Sequence, residues 1–266
     1  MDLQLGGKRA LVTGGSKGIG KAVARVLAEE GCDVAIAART EAELSATSAE
    51  LSSATGRRVV AVVMDTGDDA SVRAGVASAV AELGGVDILV NSAARPMGQG
   101  APPRLADITD ELFWNDVNVK VLGYLRCARE VAPGMIERGW GRIVNVSGLG
   151  ARTVGSAIGS ARNVSVAAVT KNLADELGPH GINVTVVHPG LTRTEATPGV
   201  VAARAAQAGV DEAEIERRMA NGNSIRKLVD ADEVAWVVAF LASPRAISIT
   251  GDAIACGGGQ PGVIHY

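Results

Sequence analysis

Short runs of β-branched and small apolar residues recur along the chain, at residues 10–12, 33–37, 58–64, 88–90, 142–146, 183–187 and 253–255. Longer Ala- and Leu-rich amphipathic stretches lie between them and predict helices at about residues 18–30, 41–54, 68–83, 109–138, 156–178 and 230–242. A strand buried on both faces cannot alternate apolar with polar residues. Continuously apolar runs separated by helices therefore predict an α/β fold, a doubly wound parallel sheet of the Rossmann type with helices on both faces. Crossovers in such a sheet are right-handed. No linker, repeat or low-complexity tract interrupts the pattern, so residues 1–266 read as a single Rossmann-type domain. After Gly190 an Ala/Glu/Arg-rich excursion over residues 202–219 predicts a helical substrate flap, spanning about 195–224. It is expected over the C-terminal edge of the sheet, where ligands sit in this architecture.

Composition narrows the function classes. Hydrophobic residues make up 47% of the chain and aromatics only 3%, so the core is built from Ala, Val, Leu and Ile. Lys plus Arg is 26 against 29 Asp plus Glu, a net charge of −3 with no basic footprint for nucleic acid or for a membrane surface. No apolar run approaches the ~18 residues of a membrane span, and the N-terminus has no apolar signal core. Cys32, Cys127 and Cys256 are far apart, which excludes a disulfide framework and zinc spacing. The three histidines have no metal-ligand spacing either. A cytoplasmic protein without nucleic-acid, membrane or metal partners is expected.

The candidate chemistry begins at the first strand–helix junction. Leu11-Val12-Thr13-Gly14-Gly15-Ser16-Lys17-Gly18-Ile19-Gly20 ends a strand and opens a helix. Glycines at 14, 18 and 20 permit a tight turn and close backbone approach, and free N–H groups at the helix start suit a pyrophosphate. An acid at the end of the second strand holds the ribose 2′-hydroxyl in NAD sites. Here Arg39 stands there, with Lys17 in the glycine loop. Two cations at these points favour a 2′-phosphate, hence NADP(H) over NAD(H).

These residues resemble the short-chain dehydrogenase/reductase family in its compact form, over essentially the whole chain. Thr13-Gly14 through Gly18-Ile19-Gly20 is like the family's TGxxxGxG, and Asn91-Ser92-Ala93-Ala94 resembles its NNAG turn. Gly141 through Ser147 is similar to the strand before the catalytic serine, and Pro189-Gly190 through Thr194 to PGxxxT. The resemblance implies cofactor contacts from Gly14, Ser16, Lys17, Gly18, Ile19, Gly20, Arg39, Asp65, Asn91, Ala93, Pro189, Gly190 and Thr194. It implies Asn118 as the family's helix asparagine, a small-molecule substrate, and a homotetramer or homodimer.

The family's YxxxK pair has no counterpart here. The only tyrosines are Tyr124 and Tyr266, and no lysine lies between Lys120 and Lys171. Aligned on residues 169–177, the tyrosine position falls on Gly159 and the lysine position on Asn163. The serine position falls on Gly148, with Ser147 one residue early. The expected catalytic residues are thus Asn118, Ser147 and Asn163. Among replacement groups, Arg95 follows the Asn91 turn and reads as a loop arginine pointing into solvent, with holding an anionic substrate or an oxyanion as its functional alternative. Arg162 is expected at the surface, His188 as a packed structural residue, and His265 and Tyr266 in a frayed terminus. The reading is an NADP(H)-dependent oxidoreductase acting on a carbonyl or alcohol with a non-standard proton-delivery group. Two alternatives stand beside it: a non-redox lyase or isomerase on the same scaffold, and a cofactor-binding regulatory or inactive subunit.

Overall fold

The computed structural model describes residues 1–94, 102–262 and 264. Among them the apolar runs form β1 (Arg9–Thr13), β2 (Asp33–Ala38), β3 (Val59–Val63), β4 (Ile88–Asn91), β5 (Gly141–Val146) and β6 (Ile182–Pro189). Two short strands follow, β7 (Thr192–Arg193) and β8 (Val229–Asp230), and then β9 (Ala253–Cys256). Seven of these make one parallel sheet in the order β3-β2-β1-β4-β5-β6-β9. The order reverses between β1 and β4, which opens a crevice at the C-terminal ends of those strands. β7 and β8 form a separate parallel ribbon that the apolar pattern did not predict, since two residues carry no periodicity.

The helices are α1 (Gly18–Glu29), α2 (Glu41–Thr55), α3 (Asp69–Leu83), α4 (Asp110–Val117), α5 (Gly123–Arg138), α6 (Ala157–Leu177), α7 (Thr197–Ala208), α8 (Glu212–Ala220) and α9 (Ala231–Ala242). Alternate strand residues enter two cores. Ala10, Val12, Val34, Ile36, Ile88 and Val90 pack under α1, α2 and α9. Leu11, Ala35, Ala37 and Leu89 pack under α3, α5 and α6. This two-sided burial is why the runs read as continuously apolar.

The helix predicted over residues 109–138 is instead α4 and α5 joined by a π-helical turn, Asn118–Leu122. Such turns occur mostly as single bulges inside α-helices, often at functional sites. The excursion after Gly190 holds α7 and α8, and Met219 and Asn223 at its end line a cleft beside the sheet. Ser156 caps α6 by accepting the Gly159 N–H, fixing where that helix begins.

Candidate active site

The turn after β1 is shaped by its glycines. Gly14 has φ +67° and Gly18 φ +59°, a region that other residues rarely adopt. A Cβ on Gly20 would lie 2.2 Å from the Gly14 carbonyl oxygen. Neighbouring loops are tied to this turn. The Thr47 hydroxyl donates to the Ser16 carbonyl (3.0 Å), and the Thr13 hydroxyl oxygen accepts the N–H groups of Ser92 (3.1 Å) and Ala93 (3.2 Å). The helix start also holds an anion of its own: Gly18 N–H donates to the Glu195 carboxylate at 2.7 Å. A carboxylate seated there shows that the backbone donors suit a negatively charged oxygen.

A cleft of about 440 Å³ runs from this cradle across the strand ends. Gly14, Ser16, Lys17, Ile19, Gly20, Arg39, Asp65, Ala93 and Thr194, all among the residues expected to contact a cofactor, line it. The other expected cofactor residues sit elsewhere. Gly18 carries the Glu195 contact. Asn91 is buried and donates to Asn145 Oδ1 at 2.9 Å, tying β4 to β5. Pro189 and Gly190 line a second cleft of about 610 Å³. Just after β2 Arg39 is exposed, while Lys17 faces Glu43 across 3.7 Å.

Ser147 lines both clefts and so marks their junction. Its hydroxyl lies 3.1 Å from the Asn163 carbonyl and 3.3 Å from Asn163 Oδ1. The two expected catalytic residues Ser147 and Asn163 are therefore brought together. Asn118 is not brought to them. Its amide donates to the Gly67 carbonyl (2.8 Å) and its Oδ1 accepts from Arg126 (2.8 Å), bracing the loop after β3.

The residue that joins the cluster is Lys120, in the middle of the π turn. Its Nζ donates to the Ser147 carbonyl at 2.8 Å and to Asn163 Oδ1 at 3.3 Å, and it lines the first cleft. Lys120 is only 4% exposed. Burial pushes its pKa down to about 7; the Arg162 charge adds to the shift and Asp116 opposes it. Sequence reasoning missed it, although a signal was present. Asp116, Lys120 and Tyr124 follow i, i+4, i+8 spacing on one helix face, and all three are buried.

Arg162 corrects an expectation. It is not at the surface but buried, donating to both Asp116 oxygens at 2.7 and 3.0 Å. The reason is tertiary: α4 presents Asp116 to α6, and a buried carboxylate needs a countercharge. The Arg162 Nε, buried beside the second cleft, has no partner among the described residues. His188 is buried as expected, and burial, with the Arg152 and Lys120 charges, pushes its pKa down to about 4. The Tyr124 hydroxyl donates to the Val146 carbonyl at 2.9 Å, and burial drives its pKa far up. Arg95, His265 and Tyr266 lie outside the described residues.

Comparison with known proteins agrees with this geometry. Residues 8–205 match the family described as short chain dehydrogenase. The short-chain reductase protein NovJ of Streptomyces niveus is 34% identical over 253 residues, 95% of this chain and 93% of NovJ. The L-sorbose reductase of Gluconobacter frateurii, solved with NADPH and L-sorbose, superposes with a TM-score of 0.93 at 30% identity, covering 99% of this chain and 100% of that one. An actinorhodin polyketide ketoreductase variant with NADPH gives a TM-score of 0.88 at 35% identity, covering 96% and 98%. With the sheet order, the glycine turn and these matches together, the chain belongs to the short-chain dehydrogenase/reductase family of oxidoreductases.

Proposed function

We propose that the protein is an NADP(H)-dependent oxidoreductase that interconverts a carbonyl and an alcohol on a small-molecule substrate, with a proton-delivery group other than tyrosine. The observation that carries this reading is the placement of Ser147. It stands where the cleft of about 440 Å³, opening from the glycine cradle, meets a second cleft of about 610 Å³. Gly14, Ser16, Gly20 and Thr194 would hold the pyrophosphate and carboxamide ends of the cofactor, Asp65 and Ala93 its adenosine and ribose, and Arg39 with Lys17 a 2′-phosphate. When bound in reduced form, the cofactor supplies a hydride.

The substrate class is a ketone. The relatives solved with NADPH are reductases of L-sorbose and of a polyketide. Gly159 takes the place of the tyrosine and Asn163 that of the lysine. The lyase, isomerase and inactive-subunit readings have no comparable support. We further propose a homotetramer or homodimer in the cytoplasm. An apolar groove lined by Leu122, Leu125, Ala132, Leu173 and Leu177 on α5, α6 and the preceding π turn supports assembly. No helix of the described residues is long and apolar enough to cross a membrane.

Fluorescence titration with NADPH and NADH tests the reading. Saturable NADPH binding is expected, with Arg39→Ala raising the Kd for NADPH about tenfold and leaving that for NADH nearly unchanged. Absence of binding at millimolar dinucleotide would overturn it.

A further inference from the structure

We propose that Lys120 is the acid–base group of this site, its Nζ holding the proton that passes to and from the substrate oxygen at the junction of the two clefts. The inference rests on the oxidoreductase reading above and names the group that reading leaves open.

Three observations carry it. The first is position. Lys120 lines the first cleft, and its Nζ is bonded to Ser147 at the junction and to Asn163 of the second cleft, at 2.8 Å to the Ser147 carbonyl and 3.3 Å to Asn163 Oδ1. An ammonium has three donors, so one N–H remains beyond these two bonds. The second is the backbone that delivers it. Lys120 is the central residue of the π turn between α4 and α5, which brings a buried lysine to the lining of the first cleft. The third is elimination among the charged and titratable groups facing it. From α6, Arg162 is engaged by Asp116 of α4 in a buried ion pair. From β6, His188 lines neither cleft, and Arg152 behind it donates to the Ala253 carbonyl. The Tyr124 hydroxyl is spent on the Val146 carbonyl. Lys120 is left as the titratable group at the junction among the described residues.

Its environment suits the role. Burial and the Arg162 charge bring the Lys120 pKa down to about 7, where a group can both give and take a proton at neutral pH. In the reducing direction a reduced nicotinamide held in the first cleft would supply the hydride that the carbonyl carbon gains, and would itself be oxidised. The oxygen takes a proton from Lys120 Nζ–H, and the C=O π bond becomes C–H and O–H. The resulting neutral amine regains its proton from water. Oxidation of the alcohol runs the same steps backwards.

The test pairs carbon-13 NMR of lysine-labelled protein with the pH dependence of NADPH-driven reduction of ethyl acetoacetate and L-sorbose. One lysine Cε resonance should titrate near pH 7, shift when NADPH saturates the protein, and vanish in Lys120→Met. Turnover of the wild type should fall about tenfold per pH unit above that value. Lys120→Met and Lys120→Arg should each lose at least 100-fold in kcat and lose this pH dependence, while both still bind NADPH. In Lys120→Ala, added methylamine should restore part of the rate. A Lys120 resonance with ordinary titration above pH 10, or a Lys120→Met protein with unchanged kcat and pH profile, would overturn the proposal. Failure of the wild type to bind NADPH is a separate result that sinks the cofactor reading. The NMR titration then still decides on Lys120: no neutral-range titration refutes its assignment.

Discussion

A buried lysine without a carboxylate of its own weakens the fold that holds it. Both oxygens of Asp116 are taken by Arg162, and Lys120 has only a carbonyl and an amide oxygen as acceptors. Desolvation of the ammonium is therefore incompletely offset. Lys120→Met keeps the length of the side chain and removes the charge. It should stabilise the protein by about 1–4 kcal/mol at pH 6, measured by urea unfolding. The gain has a defined pH window. The folded pKa of about 7 lies below the unfolded value of about 10.4, so the unfolded chain binds more protons between them. Wild-type stability then rises from pH 7 upward, and its deficit against Lys120→Met should shrink towards pH 10. A variant that is more stable and less active is what a functional residue predicts. A purely structural Lys120 predicts a loss of stability instead.

At the scale of elements, the site depends on two departures from regular helix. One is the glycine entry to α1. Gly20 sits in the first turn, and its missing Cβ lets the helix approach the Gly14 carbonyl. Gly20→Ala places a carbon 2.2 Å from that oxygen, so the loop must move. NADPH affinity should fall at least tenfold while the far-UV circular dichroism stays close to wild type. An unaltered Kd would mean the cradle is not where the dinucleotide binds. The other departure is the π turn. Residues 118 and 120 lie on opposite faces of a helix, so only one of them can reach the cleft. Asn118 faces Gly67 and Arg126, and Lys120 faces Ser147 and Asn163. The glycine turn was legible in the sequence because its geometry is settled within ten residues. Lys120 was not, because its partners lie 27 and 43 residues away and belong to β5 and α6.

Across the whole molecule, chemistry and stability occupy opposite ends of the sheet. The clefts open at the C-terminal strand ends. At the other end Asp87, just before β4, binds Arg9 of β1 through two bonds of 2.7 and 2.8 Å, and Arg138 of α5 at 3.1 Å. Burial works to raise the Asp87 pKa, but the Arg9 hydrogen bonds and the two positive charges outweigh it and hold it below its usual value. Its contribution is full above the unfolded pKa of about 3.9 and is lost as pH falls through the lower folded value. Asp87→Asn should lower stability by about 2 kcal/mol at pH 7, with the difference closing below pH 4 in acid unfolding. An equal deficit at pH 7 and pH 2.5 would refute this role. The sequence by itself determined the parallel sheet, the faces its strands bury and the glycine cradle, because apolar periodicity and turn chemistry act over short stretches of chain. It also determined that no Tyr-x-x-x-Lys stretch occurs in the chain, since that follows from counting residues. Only the tertiary structure decided that Arg162 is buried against Asp116 and that Lys120 meets Ser147 and Asn163. Those outcomes depend on how α4, β5 and α6 converge and on one irregular helical turn, and burial there sets the charge of each group.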